Sequence, residues 1–325
     1  MLTTTESVPA WLHAGIATAG GWTAETLALT ALRHGPHDLL ALASIDEAPL
    51  AVIRASRPGR MSVTALESEA AWIRSLGEST AVRVPAVLLT DTGTAVAPLD
   101  DPAGGRWPSL ALGFDPVLLR PPGTAAVDTA SSRRLGTLAA RLHEHELAWS
   151  PPSWFRRPTI DIVDLVETTW EHAPLPRTAL RLLGTAQEAA LATVSWARDA
   201  PTGLVHRDLL AATTRIGDEE YLTDFTECAW SWFEQDFAGS LVGQEPRRDA
   251  PALAAAWVEG YTQVRPWGDP RLACALTMAR RLKVFGRAWS SPSAAAASAD
   301  ESEQLAEGTL DIATRYLRSE TWLLD

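Results

Sequence analysis

Lysine is almost missing from this chain of 325 residues: Lys283 stands alone beside 27 arginines. Any phosphate-gripping cation among the first 282 residues must therefore be arginine. Cysteine is nearly as scarce. Cys228 and Cys274 stand far apart with no C-x-x-C spacing. That excludes a disulfide framework and a thiolate zinc site, and it suits a reducing, cytoplasmic location. No run of about 18 apolar residues occurs, so no membrane span is expected. The opening segment Met1-Leu2-Thr3-Thr4-Thr5-Glu6-Ser7 lacks the basic start and apolar core of a secretory signal. A P-loop, a G-x-S-x-G elbow and a metal-spaced His/Cys cluster are also lacking, which leaves hydrolase and zinc-enzyme chemistry without support.

What is present describes a globular chain, 46% hydrophobic and 21% charged. Net charge is −12, with no basic stripe to attract nucleic acid, so no nucleic-acid partner is expected. The acidity suits solubility, and it also suits a cationic acceptor such as an amine or a basic peptide.

Two halves differ in pattern. Residues 39–45 and 50–55 read as strands around the turn Asp46-Glu47-Ala48-Pro49. Residues 64–77 carry Leu66, Ala70, Ile73 and Leu76 at helical spacing, with Gly77 as the stop. Short strands follow at 84–89 and 94–99. Residues 100–123, rich in Pro and Gly, read as an irregular connection. Helices are predicted at 129–147, 159–172, 176–199, 250–263, 269–289 and 303–322. The expected fold class is α+β: a small antiparallel-sheet lobe over 1–98 and a larger, mainly helical lobe over 99–325, with a ligand cleft between them.

The chemistry concentrates in His206-Arg207-Asp208 and in Thr223-Asp224-Phe225, with Asp208 and Asp224 separated by 16 residues and the turn Gly217-Asp218-Glu219-Glu220 between them. Phosphoryl transfer uses two such carboxylates. One orients the acceptor hydroxyl and takes its proton, and the other holds a divalent metal against nucleotide phosphates. A structural ion pair is the competing reading of an isolated H-R-D. Five residues after Asp208, where an amide ligand to a second metal is expected, stands Thr213.

Over roughly residues 27–320 the chain resembles the aminoglycoside phosphotransferase and choline kinase family of the kinase-like superfamily. The resemblance implies a two-lobed protein-kinase-like fold, ATP or GTP with Mg²⁺, and a small-molecule or peptide acceptor. It makes Asp208 the catalytic base, His206 the organiser of the catalytic loop with Arg207 beside it, and Asp224 and Thr213 metal ligands. Arg54 takes the place of the strand lysine that holds the phosphates. Glu69, in Glu69-Ala70-Ala71-Trp72-Ile73-Arg74-Ser75-Leu76, is its partner, with Glu67 as a nearby competitor. Gly35 lies where a turn covers the phosphates, and Ala97 and Leu99 lie at the adenine hinge. Leu135-Gly136-Thr137-Leu138-Ala139-Ala140-Arg141-Leu142-His143 resembles a core helix with His143 structural. Asp236 resembles the aspartate that braces the catalytic loop, and Trp257-Val258-Glu259-Gly260-Tyr261 resembles a packing helix. Thr213, Arg54 and a thin glycine loop depart from the family pattern.

Two functions from different classes follow. One is an ATP- or GTP-dependent phosphotransferase acting on a hydroxyl of an antibiotic or metabolite, or on peptide Ser/Thr in natural product biosynthesis. The other is a pseudokinase that binds a peptide or protein partner and scaffolds another enzyme. Thr213 and Arg54 favour the second. So would exposed members of the chain's 14 tryptophans, among them Trp230 and Trp232.

Overall fold

The computed structural model describes residues 7–35, 37–119, 127–216, 219–290 and 299–325. In chain order the first elements are α1 (Ala10–Gly20), β1 (Leu27–His34), β2 (Asp38–Ile45), β3 (Ala48–Ser56), α2 (Val63–Ser79), β4 (Val87–Leu88), β5 (Val96–Asp100) and β6 (Arg106–Gly113). Then come α3 (Thr129–Ala148), α4 (Arg177–Trp196), β7 (Thr202–Val205), α5 (Leu209–Ala212), β8 (Thr213–Ile216), β9 (Glu219–Leu222) and β10 (Ala229–Trp232). The chain closes with α6 (Glu234–Leu241), α7 (Ala250–Thr262), α8 (Pro270–Ser290) and α9 (Ala299–Arg318). They fall into two compact units.

The first unit comprises Met1–Pro122, Trp149–Arg157 and Thr213–Thr226. Its antiparallel sheet runs β1-β2-β3-β6-β4, with β5 also paired to β6. Alternation dictates one apolar face: Leu39, Ala41 and Ala43 on β2 and Ala51, Ile53 and Ala55 on β3 are buried against Leu12 and Ile16 of α1. Asp46 and Glu47 turn β2 into β3 with φ of 48° and 65°, the left-handed pair that matches the twist of a two-residue hairpin. The Ser62 hydroxyl caps α2 by accepting the Ala65 N–H at 3.1 Å. That helix passes the expected stop at Gly77 and ends at Thr80, whose N–H and hydroxyl both donate to the Leu76 carbonyl.

The segment expected to be irregular, 100–123, holds β6. Leu110 and Leu112 bury there, and the strand joins β3 to β5. Pro108 obscured the pattern but is tolerated. It faces Pro98 of β5, while the pairing with β3 reaches only to Ser109. The first unit therefore continues well past residue 98, and it also includes the β8–β9 hairpin. The turn within that hairpin, at Gly217 and Asp218, lies outside the described residues.

The second unit comprises Gly123–Ala148, Pro158–Ala212 and Glu227–Asp325. Helices dominate it, joined by the antiparallel pair β7 and β10. α3 and α7 cross backbone to backbone. A Cβ on Gly136 would fall 1.9 Å from the Trp257 carbonyl oxygen, and one on Gly260 would fall 1.8 Å from that of Arg133. Only glycine permits that approach. Residues 159–172 do not form the expected α-helix; they make two short 3₁₀ turns, Val163–Leu165 and Thr169–His172. Side chains compete for the backbone donors there: Asp161 accepts the Val163 N–H, and Glu167 accepts those of Thr168 and Thr169. An antiparallel N-terminal sheet and a mainly helical C-terminal region give the α+β class that the sequence led us to expect.

Candidate active site

The segment expected to form the catalytic loop bridges β7 and α5, with His206, Arg207 and Asp208 between them. Asp236, in the first turn of α6 and fully buried, fixes its shape. Asp236 Oδ2 accepts the His206 N–H at 3.2 Å, and Oδ1 accepts the Arg207 N–H. Two backbone donors on one buried carboxylate are charge-assisted and directional. The Asp208 N–H in turn donates to His206 Nδ1 at 3.3 Å, so the histidine organises the loop from within.

Behind it, His143 Nε2 sits 2.9 Å from Asp236 Oδ2, and Nδ1 sits 2.9 Å from the Tyr261 hydroxyl. Burial pushes the His143 ring below its usual pKa, against the pull of Asp236. Burial works to raise Asp236, but the hydrogen bonds from His143 and Arg207 keep it lowered and ionised. A neutral ring then donates from Nε2 to the carboxylate and accepts the tyrosine hydroxyl at Nδ1. His143 is structural, as its core-helix position suggested.

Arg207 adopts φ of 71°, a left-handed backbone that costs a non-glycine residue on the order of 1–2 kcal/mol. Gly239 of α6 makes room for this bend, since a Cβ there would lie 2.2 Å from the Arg207 carbonyl oxygen. The Asp208 carboxylate is reached by an unanticipated residue: Arg280 of α8 donates to Oδ1 at 3.2 Å. Both line a cavity of about 160 Å³.

In the first unit, Arg54 on β3 is buried and points at Glu69 on α2, with Nη2 2.6 Å from Oε1. Its Nη1 donates to Thr226 Oγ1 at 2.9 Å and lies 3.8 Å from Asp224 Oδ1. Burial disfavours the guanidinium charge, but Glu69 and then Asp224 more than offset it and raise the Arg54 pKa. Glu69 therefore fixes the Arg54 rotamer, and Glu67 makes no ion pair among the described residues. Arg157 was missed by the sequence. It donates to the Thr226 carbonyl at 2.7 Å and the Phe225 carbonyl at 3.4 Å, and it stands 3.7 Å from Glu69 Oε2. It ties down the turn that carries Asp224.

Asp224 is 58% exposed, and its Oδ1 accepts the Thr226 N–H at 2.9 Å. Thr213 opens β8 opposite Leu222, two residues before Asp224. Its hydroxyl oxygen is buried without a hydrogen-bond partner. An accessible carboxylate and an orphaned hydroxyl fit a hard divalent cation that takes its remaining ligands from phosphate and water. No cluster of three or more His, Cys, Asp or Glu able to hold a metal unaided exists among the described residues. The chain also contains no asparagine at all, so an amide ligand at 213 has no neighbouring substitute of that type.

The other nucleotide positions are placed differently. Gly35 spends its N–H on the Asp38 carbonyl at 2.8 Å, and its own carbonyl accepts Arg57 Nε at 3.0 Å. Gly35 therefore has no spare N–H donor. Ala97 and Leu99 lie on β5, which pairs with β6 on one side and has an open edge on the other. They help line a depression of about 590 Å³.

With this geometry in place, comparison with known proteins is informative. The family model described as "Phosphotransferase enzyme family" (APH) matches residues 41–271. No curated protein matches the chain. Among solved structures, a microcompartment-associated aminopropanol kinase is 23% identical, with 96% of this chain and 99% of that one covered at a TM-score of 0.80. An amicoumacin kinase in complex with AMP-PNP, Ca²⁺ and Ami is 19% identical, with 93% and 92% covered and a TM-score of 0.72. A spectinomycin phosphotransferase in complex with ADP and its antibiotic is 15% identical, with 93% and 96% covered and a TM-score of 0.59. At these identities the likeness concerns the fold.

Proposed function

We propose that this chain, which belongs to the phosphotransferase enzyme family, transfers the γ-phosphoryl group of ATP or GTP to a hydroxyl of a small molecule. The observation that carries the reading is the Asp236 brace. A buried carboxylate that accepts both the His206 and Arg207 N–H groups serves to hold the one side chain that follows them, Asp208.

In this reading Asp208 orients the acceptor hydroxyl and takes its proton as the oxygen bonds to the γ-phosphorus and the bond to the nucleoside diphosphate breaks. Arg54, held by Glu69, grips the phosphates as a planar fork in place of a lysine point charge. The open edge of β5 at Ala97 and Leu99 offers backbone groups to adenine or guanine. Asp224 and Thr213 would hold Mg²⁺, which would supply positive charge to the phosphate oxygens. The structural neighbours in complex with AMP-PNP and with ADP support a nucleotide donor. The aminopropanol, amicoumacin and spectinomycin enzymes support a small-molecule acceptor.

One observation favours the pseudokinase reading: the 213 position offers a single neutral hydroxyl where an amide oxygen is expected. A chain that only scaffolds partners has no need of Asp208. The decisive experiment therefore measures Mg²⁺-dependent nucleotide binding by calorimetry together with nucleoside diphosphate release over a panel of small alcohols, in wild type and Asp208→Asn. Turnover that vanishes in Asp208→Asn while nucleotide binding persists supports catalysis. Absence of turnover, with binding of a protein partner, supports the scaffold.

A further inference from the structure

The cavity beside Asp208 has more hydrogen-bond donors than its own acceptors can use. Every residue that lines it belongs to the second unit. One face of α8 supplies Arg280, Lys283 and Arg287 at a spacing of three to four residues, and Leu276, Ala279 and Val284 line the same cavity. Arg207 adds a fourth cation. The carboxylates opposite are already engaged. Asp208 accepts from Arg280, Glu227 lies 3.7 Å from Arg207 Nη1, and Asp164 accepts the Asp161 N–H at 3.0 Å. Lys283 and Arg287 form no ion pair among the described residues.

Three further donors are buried with no acceptor: Arg207 Nε, Arg280 Nε and the side-chain nitrogen of Gln235, a residue only 3% exposed. A buried donor left unmatched has given up its water for nothing, so a matching acceptor in the cavity is favoured. Burial, followed by the charges of Arg207 and Arg287, also lowers the Lys283 pKa, and an anion among these groups would reverse that.

We propose that this cavity receives the anionic end, carboxylate or phosphate, of a small acceptor whose hydroxyl is phosphorylated beside Asp208. The inference rests on the phosphotransferase reading and gives it an acceptor class, the opposite of the cationic acceptor that a net charge of −12 suggests. Local charge decides, because ions in a confined site interact over a few ångströms while the overall charge is screened within about 8 Å at physiological salt. At about 160 Å³ the cavity is below the roughly 300–1,000 Å³ of a drug-sized site, which suits a compact hydroxy acid or phosphate ester.

The test uses four probes of similar size on the full chain: D-glycerate, glycerol 3-phosphate, glycerol and 1-amino-2-propanol. Binding is read by calorimetry without nucleotide. One or both anions should bind and the neutral and cationic probes should not, and the stronger of the two anions names the anionic group. Lys283→Met combined with Arg287→Met should weaken anion binding at least tenfold while nucleotide affinity and the melting temperature hold. Arg287→Met alone, at an exposed position, should weaken it in part. Preference for 1-amino-2-propanol, no anion binding, or unchanged anion binding in the double variant would overturn the proposal. So would a parallel loss of nucleotide affinity, which would assign these cations to the donor. Adding ATP and Mg²⁺ then separates the two readings. Anion binding without ADP release sinks the kinase and keeps the site; ADP release with 1-amino-2-propanol alone does the reverse.

Discussion

Arg280 reaches the Asp208 carboxylate from 72 residues further along the chain, with its Nη2 3.2 Å from Oδ1. A carboxylate held by a guanidinium is oriented. On the proposed role of Asp208 as base, Asp208→Asn should lower kcat by roughly 100-fold or more. Arg280→Met should lower it about tenfold, because the carboxylate loses the donor that orients it. The double variant should be no slower than Asp208→Asn alone, since the two groups act as a unit. Additive losses in steady-state assays would mean that Arg280 does something other than position Asp208.

Glu69 is the counter-charge for two arginines, Arg54 at 2.6 Å and Arg157 at 3.7 Å. Glu69→Ala removes the main counter-charge of both buried arginines, and should cost about 3 kcal/mol or more in urea unfolding. Arg54→Met with Glu69→Met should cost less than the two single changes added together. Nucleotide affinity should nonetheless fall in the double variant, which separates the stability role of the pair from its phosphate role.

Thr213 provides the test of the proposed metal site. Thr213→Asn supplies an amide oxygen where the buried hydroxyl has no partner. Titrating Mg²⁺ at fixed nucleotide should show tighter binding, by about threefold or more, because a hard cation prefers the stronger oxygen donor. Weaker binding would place Thr213 outside the coordination sphere.

Glu234, at the start of α6, has its pKa raised to about 7 by burial. A carboxyl whose folded pKa lies above its unfolded value stabilises the fold fully below the unfolded pKa, about 4.5, and loses that contribution as the pH rises through 7. The loss is on the order of 3 kcal/mol at about 1.4 kcal/mol per unit. Melting curves of wild type should therefore decline between pH 5 and 8 relative to Glu234→Gln, which keeps the shape without the proton. Parallel curves would rule this out.

Much of the fold was legible because it is periodic. The alternation of β2 and the helical spacing of α3 and α7 each encode one buried face, and local sequence carries that signal. β6 was hidden because its one proline, Pro108, lies beyond the reach of β3, a circumstance that only the register reveals. The 3₁₀ turns at 163–172 were hidden because Asp161 and Glu167 draw off backbone donors that the apolar spacing alone would assign to a helix.

In the site, the H-R-D and D-F segments and the Arg54–Glu69 pair were visible as short motifs at fixed order. Arg280 and Arg157 were not, since each meets its partner across roughly 70 residues and neither stands in a motif. At Gly35 the N–H goes to the Asp38 carbonyl and the carbonyl takes Arg57 Nε, bonds that the place of a glycine in the sequence does not announce.

Lys283 is the chain's one side-chain primary amine, and it lines the cavity beside Asp208. Its lowered pKa leaves more of it as free amine near neutrality than an ordinary surface lysine would have. Amine-directed acylation is therefore confined to this position and the chain's α-amino group, and intact mass can read its extent. A ligand that fills the cavity would protect the residue, so the chain carries its own occupancy probe, usable before any substrate has been identified.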